Sequence, residues 1–216
     1  MLFLSLPFMA LLQPAYAGAW LREPGTAFLA ATMTARSDPN LPGTSSTLYA
    51  EYGLWPALTL GLDINEHGNL TGHALAFLRL PMARNLNDWS LAIELAAGAD
   101  HIGPDWARMQ KLTLSAGRGF QSPWGNGWFL VDTAFEYRSG LGQAIYKLDT
   151  TLGLSTGSKL RPLLQIETSQ IKEGEFFWTV TPSLMFDWKD TTWLIGFERK
   201  SIQSGVGVKL GLWQTF

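Results

Sequence analysis

The side chains with the widest range of chemistry in this sequence are its three histidines, His67, His73 and His101. Carboxylates lie close to them along the chain, at Asp63, Glu66, Asp100 and Asp105. Imidazole is a good zinc ligand, and a histidine oriented by a polar residue can activate a serine. No serine adjoins the histidines in sequence, and the simpler interpretation is a set of polar residues facing water. The histidines are therefore weak candidates for catalysis, and we expect neither a metal nor another cofactor.

Composition excludes several classes of function. Of 216 residues, 46% are hydrophobic and only 16% are charged, against about 25% charged in an ordinary soluble domain. The net charge of -2 offers no basic surface for phosphates, so nucleic acid is not expected as a partner. The absence of cysteine excludes a disulfide scaffold, a thiolate zinc site and a cysteine nucleophile.

The first 17 residues have the architecture of a secretory signal peptide. They are apolar apart from Ser5 and Gln13 and end in the small-x-small triplet of residues 15–17. No Lys or Arg precedes the apolar run, and the stretch is short for a helix that spans a membrane. We predict cleavage after Ala17, which leaves residues 18–216 as one exported domain. Export without cysteine is typical of a bacterial envelope protein.

After residue 17, apolar and polar residues alternate with a period of two. In residues 176–189 one side is aromatic and aliphatic, while the other is largely polar. Successive residues of a strand face opposite sides, so each such segment predicts a strand with one apolar face. Twelve strands are predicted, at residues 26–36, 46–55, 58–66, 72–82, 88–100, 109–120, 127–138, 143–156, 160–171, 176–189, 191–201 and 205–216.

Tryptophan positions separate a membrane barrel from a soluble β-sandwich, which would show the same alternation. If the first strand starts in the periplasm and directions alternate, eight of the ten tryptophans fall at the periplasmic end, as in an aromatic girdle. The interfacial aromatic residues predicted are Trp55, Trp89, Trp128, Trp178, Trp188, Trp193 and Trp213. The fold predicted is an all-β, transmembrane, antiparallel up-and-down β-barrel of about twelve strands, with both termini in the periplasm.

The last strand carries the most specific motif. The chain ends in Phe216, preceded at alternate positions by Val208, Leu210 and Leu212. This ending resembles the signal on the last strand of bacterial outer-membrane barrels that the barrel-assembly machinery recognises. Gln214 departs from the pattern, since an aromatic or apolar residue is usual two places before the end.

Residues 48–54 followed by residues 58–62 also resemble hairpins of outer-membrane transporters of the phenol meta-pathway type. Together these resemblances imply a location in the outer membrane of a Gram-negative bacterium. They imply outer-membrane lipid and lipopolysaccharide as partners, and the barrel-assembly machinery as a partner during biogenesis.

Charged residues occupy the positions opposite the predicted lipid face, and we expect them to line the lumen. They are Glu51, Asp63, Arg79, Glu94, Lys111, Asp132, Glu136, Arg138, Lys147, Asp149, Arg161, Glu167, Asp187, Lys189, Glu198, Lys200 and Lys209. Nine acids and eight bases give a nearly neutral interior. Such residues either line a narrow, weakly selective pore or pair into a salt-bridged plug. Twelve strands lie between the filled eight-stranded barrel and the open barrel of 16–18 strands.

Two prolines disturb the pattern. Pro162 and Pro182 fall inside the ninth and tenth predicted strands, where each removes a hydrogen-bond donor from the ladder. We expect a β-bulge at each.

The favoured function is a narrow porin-like or substrate-specific channel for passive transport of a small solute. The outer loops are short, the longest spanning about residues 37–44, so a constriction loop and a general porin are not expected. A non-conducting structural or adhesive barrel is the main alternative. An outer-membrane lipid hydrolase with a site at the extracellular rim is a third, although residues 66–73 resemble neither the outer-membrane phospholipase motif nor the lipid A deacylase motif.

Overall fold

The sheet closes on itself. The computed structural model describes residues 18–37, 43–86, 88–155, 159–172 and 174–216. Its strands are β1 (Ala27–Arg36), β2 (Thr44–Trp55), β3 (Leu58–His67), β4 (Thr71–Leu86), β5 (Trp89–Ile102), β6 (Asp105–Ser122), β7 (Gly125–Arg138), β8 (Gln143–Ser155), β9 (Arg161–Ile171), β10 (Phe176–Trp188), β11 (Thr191–Lys200) and β12 (Val206–Thr215). Each strand pairs with its chain neighbours, and β12 pairs antiparallel with β1. The predicted twelve-stranded antiparallel barrel is confirmed.

The predicted signal peptide, residues 1–17, lies outside the described residues, as do residues 38–42 of the longest predicted loop. Within the described part of the chain, no helix is long and apolar enough to cross a membrane.

The two ends of the barrel differ in what they carry. The start of β1 and the end of β12 lie at one end, called here the terminal end, together with the turns that follow the even-numbered strands. The opposite end carries the loops that follow the odd-numbered strands and is called the loop end. The terminal end corresponds to the end predicted to face the periplasm.

Alternation along the strands separates an apolar outer face from a polar interior. The outer face exposes large hydrophobic side chains from all around the sheet, among them Met33, Leu48, Leu62, Leu78, Leu95, Leu112, Phe135, Leu148, Leu184, Ile195 and Leu210. The intervening positions bury charged and hydroxyl side chains such as Glu51, Arg79, Glu94, Glu136 and Glu198. In a closed barrel every strand contributes to both surfaces in this way.

Two strands extend four residues beyond their predicted bounds. β6 begins at Asp105 instead of residue 109, because its first residues pair with the end of β5 across a tight turn in which Gly103 adopts a positive φ of 59°. β4 continues to Leu86 through two register shifts in its pairing with β5. In both cases cross-strand pairing extends a strand past the segment that shows clear alternation.

The expected bulges at the two prolines are absent from the pairing. The β9–β10 register runs unbroken through both prolines, and β10 keeps one register with β11 on either side of Pro182. Pro162 lies one residue beyond Leu163, the last β9 residue that pairs with β8, so its missing donor falls outside that ladder. Pro182 instead leaves a gap in the β10–β11 ladder between Val180 and Ser183. The register shifts of the described pairs lie in β2–β3 and β4–β5.

Two of the predicted interfacial tryptophans lie inside the barrel, so their prediction is wrong. Trp128 forms an apolar cluster with Leu163, Met185 and Leu194, and Trp20 and Trp213 pack against it. Trp128 faces inward because Gly153, next to it on β8, leaves room for the indole: a Cβ at Gly153 would lie 2.1 Å from Cζ2 of Trp128. The cluster of Trp128, Leu163, Met185 and Leu194 is called the terminal-end cluster below. The remaining predicted interfacial residues lie on the outer face, namely Trp55, Trp89, Trp178, Trp188 and Trp193.

Candidate functional site: the charged interior of the barrel

Two polar cavities of the interior meet near the middle of β8. The loop-end cavity measures about 250 Å³, and its wall includes His67, His73, Arg138, Lys147, Asp149, Glu167 and Lys200. The middle cavity measures about 280 Å³, and its wall includes Gly18, Tyr49, Arg79, Lys111, Asp132, Lys147, Asp149 and Gln165. Lys147 and Asp149 line both cavities. These two side chains therefore mark the junction of a polar path through most of the barrel.

The position of Lys147 and Asp149 follows from the sequence of β8. The alternate residues Tyr146, Leu148 and Leu152 are exposed on the outer face. Because side chains alternate across a strand, the intervening Lys147 and Asp149 face inward. A basic and an acidic residue two positions apart are thus held side by side at the same wall.

A buried network on β2, β4 and β5 centres on Arg79. Its guanidinium donates to Glu51, to Glu94 at 2.5 Å and to the Tyr49 hydroxyl at 2.6 Å. Tyr49 in turn donates to Glu51 at 2.6 Å. A charge removed from water is stable only when paired in this way. This network makes one side of the middle cavity a rigid wall.

Other inward charges pair around the two cavities. Lys111 lies 3.0 Å from Asp63 on β3. Glu136 on β7 lies 2.7 Å from Lys147 and 2.9 Å from Arg138. The bases at this level are therefore largely compensated by carboxylates on the same or neighbouring strands.

Two further groups of charges lie at the opposite ends of the barrel. At the loop end, Arg36 approaches Glu198 at 2.8 Å, and Lys200 approaches the same carboxylate at 3.3 Å. At the terminal end, Arg161 pairs with Asp187. Lys209 donates to the amide oxygen of Gln165 at 3.1 Å.

Three acidic residues form a row across β7, β8 and β9. Asp132 is directly opposite Asp149, which is directly opposite Glu167. Among the described residues, none of the three forms an ion pair, and Oδ1 of Asp132 is buried without a hydrogen-bond partner. Three carboxylates without a described ion pair therefore lie together on this wall, called the acidic row below.

The chain that precedes β1 enters the terminal end of the interior. Ala19 is almost fully buried, and Trp20 packs against the terminal-end cluster. The Arg22 side chain pairs with Glu51, and its backbone N–H donates to the Thr59 hydroxyl at 2.9 Å. Residues 18–23, called the N-terminal segment below, thus occupy space at the terminal end of the lumen.

Several interior residues lie outside the sequence-predicted set. Arg22 carries no signal in the sequence, because residues 18–25 do not alternate. Arg36 is buried and occupies an inward position of β1, and the alternation of that strand could have assigned it to the interior. Lys189, by contrast, is predicted to line the lumen and does not. It lies in the turn after β10 with a positive φ of 55°, and its Nζ lies 5.4 Å from the centre of the Trp188 ring. The turn ends the alternation, so this lysine does not reach the lumen.

The three histidines do not assemble into one site. His67 and His73 face the loop-end cavity, and His73 lies 3.3 Å from Asp63. Within the described ranges, no three His, Cys, Asp or Glu side chains are arranged to hold a metal ion. Ser45 pairs across the strands with His67, a proximity that sequence spacing could not reveal, but the described contacts include no hydrogen bond between them.

His101 lies on the outer face instead. Its Nε2 lies 2.9 Å from a carboxylate oxygen of Glu66, and Nδ1 lies 3.0 Å from the Gly103 carbonyl oxygen. The ring packs at 4.7 Å from that of Trp106. Gly72 on the intervening strand permits this contact, since a Cβ there would lie 2.7 Å from Nε2. The interaction fastens β3, β5 and β6 together on the outside of the loop end.

The predicted assembly signal occupies the closing strand of the barrel. Val208 and Leu210 are exposed on the outer face, and Phe216 is exposed at the chain end. The backbone N–H of Phe216 donates to the Ala27 carbonyl oxygen at 2.9 Å. Recognition of these residues by the assembly machinery stays a prediction.

The fold is similar to that of several solved outer-membrane proteins. No protein-family model and no curated protein matches the sequence. A KdgM porin structure has a TM-score of 0.62 at 9% identity, with 88% of this chain and 99% of that chain covered. LpxR from Salmonella typhimurium has a TM-score of 0.51 at 9% identity, with 88% and 99% covered. CdiB from Acinetobacter baumannii has a TM-score of 0.53 at 7% identity, with 90% and 60% covered. The chain therefore has the twelve-stranded fold of bacterial outer-membrane β-barrel proteins.

Proposed function

We propose that this barrel is a narrow, substrate-specific channel for passive passage of a small hydrophilic solute across the outer membrane. The observation that supports the proposal is the pair of polar cavities joined at Lys147 and Asp149. A barrel that served only as a scaffold would have no need of hydrophilic space along its axis. Cavities of this size suit a small molecule, and they are too small for the unspecific traffic of a wide porin.

The solute we propose is neutral or cationic. One structure of the KdgM porin is a complex with disordered oligogalacturonate, an acidic oligosaccharide. In the present barrel the acidic row faces the path without described ion pairs, whereas Arg138 and Lys147 are compensated by Glu136. A polyanion would meet unscreened like charge at this row, so the interior is better suited to neutral sugars or small cations.

Single-channel conductance tests the proposal. Residues 18–216 are refolded in detergent, folding is verified by heat-modifiable migration in gels, and the protein is inserted into a planar bilayer. We expect discrete current steps with a weak preference for cations, and a partial block by neutral or cationic solutes. A folded barrel that gives no steps, together with no swelling of liposomes in small sugars, would refute the channel.

A non-conducting structural barrel is the second candidate. The observation that favours it is the number of buried ion pairs that link the walls, above all those of Arg79 and Arg22 with Glu51. Folded protein that is silent in both assays would support this function. A lipid hydrolase at the rim gains no support, because His101 faces the opposite side of the wall from His67 and His73.

We also propose the cellular route implied by the sequence. Residues 1–17 direct export and are removed, and the last strand then directs insertion into the outer membrane. Fractionation of cells that express the full chain checks both steps, since the mature protein should appear in the outer membrane with Gly18 as its first residue. A chain truncated before Val208 should fail to insert.

A further inference from the structure

The N-terminal segment fits closely between the walls of the barrel. A Cβ at Gly117 on β6 would lie 2.4 Å from Cη2 of Trp20 and 2.9 Å from Cβ of Ala19. A Cβ at Gly53 on β2 would lie 2.1 Å from the Glu23 carbonyl oxygen. Two glycines on separate strands thus leave room for the segment, whose first two residues are buried.

The first residue of this segment lies beside the unsatisfied carboxylate of the acidic row. Gly18 has a positive φ of 82°, and a Cβ there would lie 2.7 Å from Leu130 and 3.3 Å from Oδ1 of Asp132. Standard backbone geometry then puts the Gly18 nitrogen within about 6 Å of that oxygen. Ser115 on β6 contacts the same carboxylate, yet Oδ1 is buried with no hydrogen-bond partner among the described residues.

We propose that the mature N-terminus is an internal plug: the α-ammonium group of Gly18 pairs with Asp132, and the N-terminal segment closes the terminal end of the lumen. Cleavage of the peptide bond before Gly18 adds water across that bond and leaves a free amine, which is protonated at neutral pH. The processed chain would thereby bring one positive charge to Asp132 in the acidic row. Before cleavage the Gly18 nitrogen is a neutral amide and cannot pair in this way.

The other charges of the middle cavity leave this role to the N-terminus. Arg79 is paired with Glu51 and Glu94, Lys111 with Asp63, and Lys147 with Glu136. Arg22 fixes the other end of the segment through Glu51. The channel would then be closed except when the segment moves aside for short periods, and this part of the inference rests on the proposed function. The pairing of amine and carboxylate does not.

The first test measures the accessibility of the amine and does not depend on conductance. Refolded chains that begin at Gly18 or at Ala17, each with Asp132 or Asp132→Asn, are treated briefly with an amine-reactive ester, and labelling of the terminal residue is followed by mass spectrometry. We expect the Gly18 amine to react at least tenfold more slowly with Asp132 present than in Asp132→Asn. An extra residue displaces the amine by about 3.8 Å, so chains beginning at Ala17 should react rapidly in both backgrounds. Equal rates in all four chains would overturn the pairing.

The second test displaces the segment sterically. Gly117→Val places a side chain where Trp20 lies, while the matched variant Gly119→Val on the same inward face of β6 finds nothing nearer its Cβ than the Gly127 carbonyl oxygen at 3.9 Å. We expect Gly117→Val to raise both the labelling rate and the fraction of time that the channel is open, and Gly119→Val to change neither. Equal behaviour of the two folded variants would overturn the plug.

The two tests separate the plug from the channel. Slow labelling that becomes fast in Asp132→Asn, in a barrel that conducts neither as the native chain nor as Gly117→Val, would retain the seated N-terminus and refute the channel. Fast labelling of the native chain in a conducting barrel would refute the seated N-terminus and support the channel. If Gly117→Val fails to fold, the comparison of Asp132 with Asp132→Asn still decides the pairing.

Discussion

Arg79 on β4 and Glu51 on β2 form an ion pair across the strand that separates them. Gly61, the β3 residue opposite Glu51, has no side chain to block the contact. The Phe77 ring covers this glycine, since a Cβ there would lie 2.0 Å from Cζ. Tyr49 stacks on Phe77 with ring centroids 5.4 Å apart. Because Gly61 has no side chain, side chains of β2 and β4 can contact each other directly over β3 inside the barrel.

Replacement of Arg79 by leucine should therefore destabilise the barrel strongly. Glu51 and Glu94 would lose their common partner while remaining buried, and breaking a buried pair in this way costs about 3–5 kcal/mol. The measurement is a urea titration of folding into lipid vesicles, followed by tryptophan fluorescence. Lys209→Leu is the control, because Lys209 also faces inward but donates only to Gln165 among its described hydrogen bonds. Similar losses for the two variants would contradict the structural role of the Arg79 network.

Substitution by arginine should have a large effect at one residue of β8 and a small effect at its neighbour. Leu152 is exposed on the outer face, whereas Thr151 lines the middle cavity near Asp149. Leu152→Arg should cost up to about 2–4 kcal/mol, the value for arginine on the lipid face at the bilayer midplane. Thr151→Arg should be mild, since its charge meets water and the acidic row. Equal free-energy changes in a lipid-refolding titration would refute the assignment of the two faces.

Strand positions could be predicted from the sequence because facing in a barrel is a local property. A period of two in residues such as 176–188 specifies both a strand and its apolar side, with no knowledge of its neighbours. The ends of β4 and β6 were harder to predict, since cross-strand pairing extends them past the alternating segment. The missing bulge at Pro182 likewise depends on how β9 and β11 accommodate it.

The interior contacts could be predicted only in part, for a related reason. Alternation is enough to expect Lys147 and Asp149 on one face, but the partner of each charge depends on the register of several strands. The inward position of Trp128 depends on Gly153 of the neighbouring strand, and an interfacial tryptophan has the same local sequence signal. The entry of Arg22 into the lumen leaves no periodic pattern at all.

Gly153 should be intolerant of a side chain. A Cβ at this position would lie 2.1 Å from the Trp128 indole, so Gly153→Val must displace the ring from the terminal-end cluster. Overpacking of this kind costs about 1–3 kcal/mol, to be measured by the same refolding titration. Gly119→Val is the matched control on the inner surface, and it should fold with nearly native stability. A native near-ultraviolet circular dichroism spectrum for Gly153→Val would contradict the packing of Trp128.

Removal of the positive charge of Lys147 should change the ion preference of the channel. Lys147 lies at the junction of the two cavities beside Asp149, and Glu136, its partner, retains Arg138 at 2.9 Å after the substitution. Lys147→Gln should therefore leave the wall intact and strengthen the attraction of the acidic row for passing cations. In a potassium chloride gradient, the reversal potential should move towards the potassium equilibrium potential. Because salt screens charges that face water, the shift should shrink as the mean salt concentration rises.

Lys189→Gln provides the control for this last change, since Lys189 lies in the exposed turn after β10 and outside the path. It removes the same formal charge from the protein but should leave the reversal potential at its native value. Equal shifts for the two variants would mean that ions sense the overall charge of the barrel rather than the junction. A shift confined to Lys147→Gln would locate the selective step beside Asp149, where the solute must pass between the two cavities.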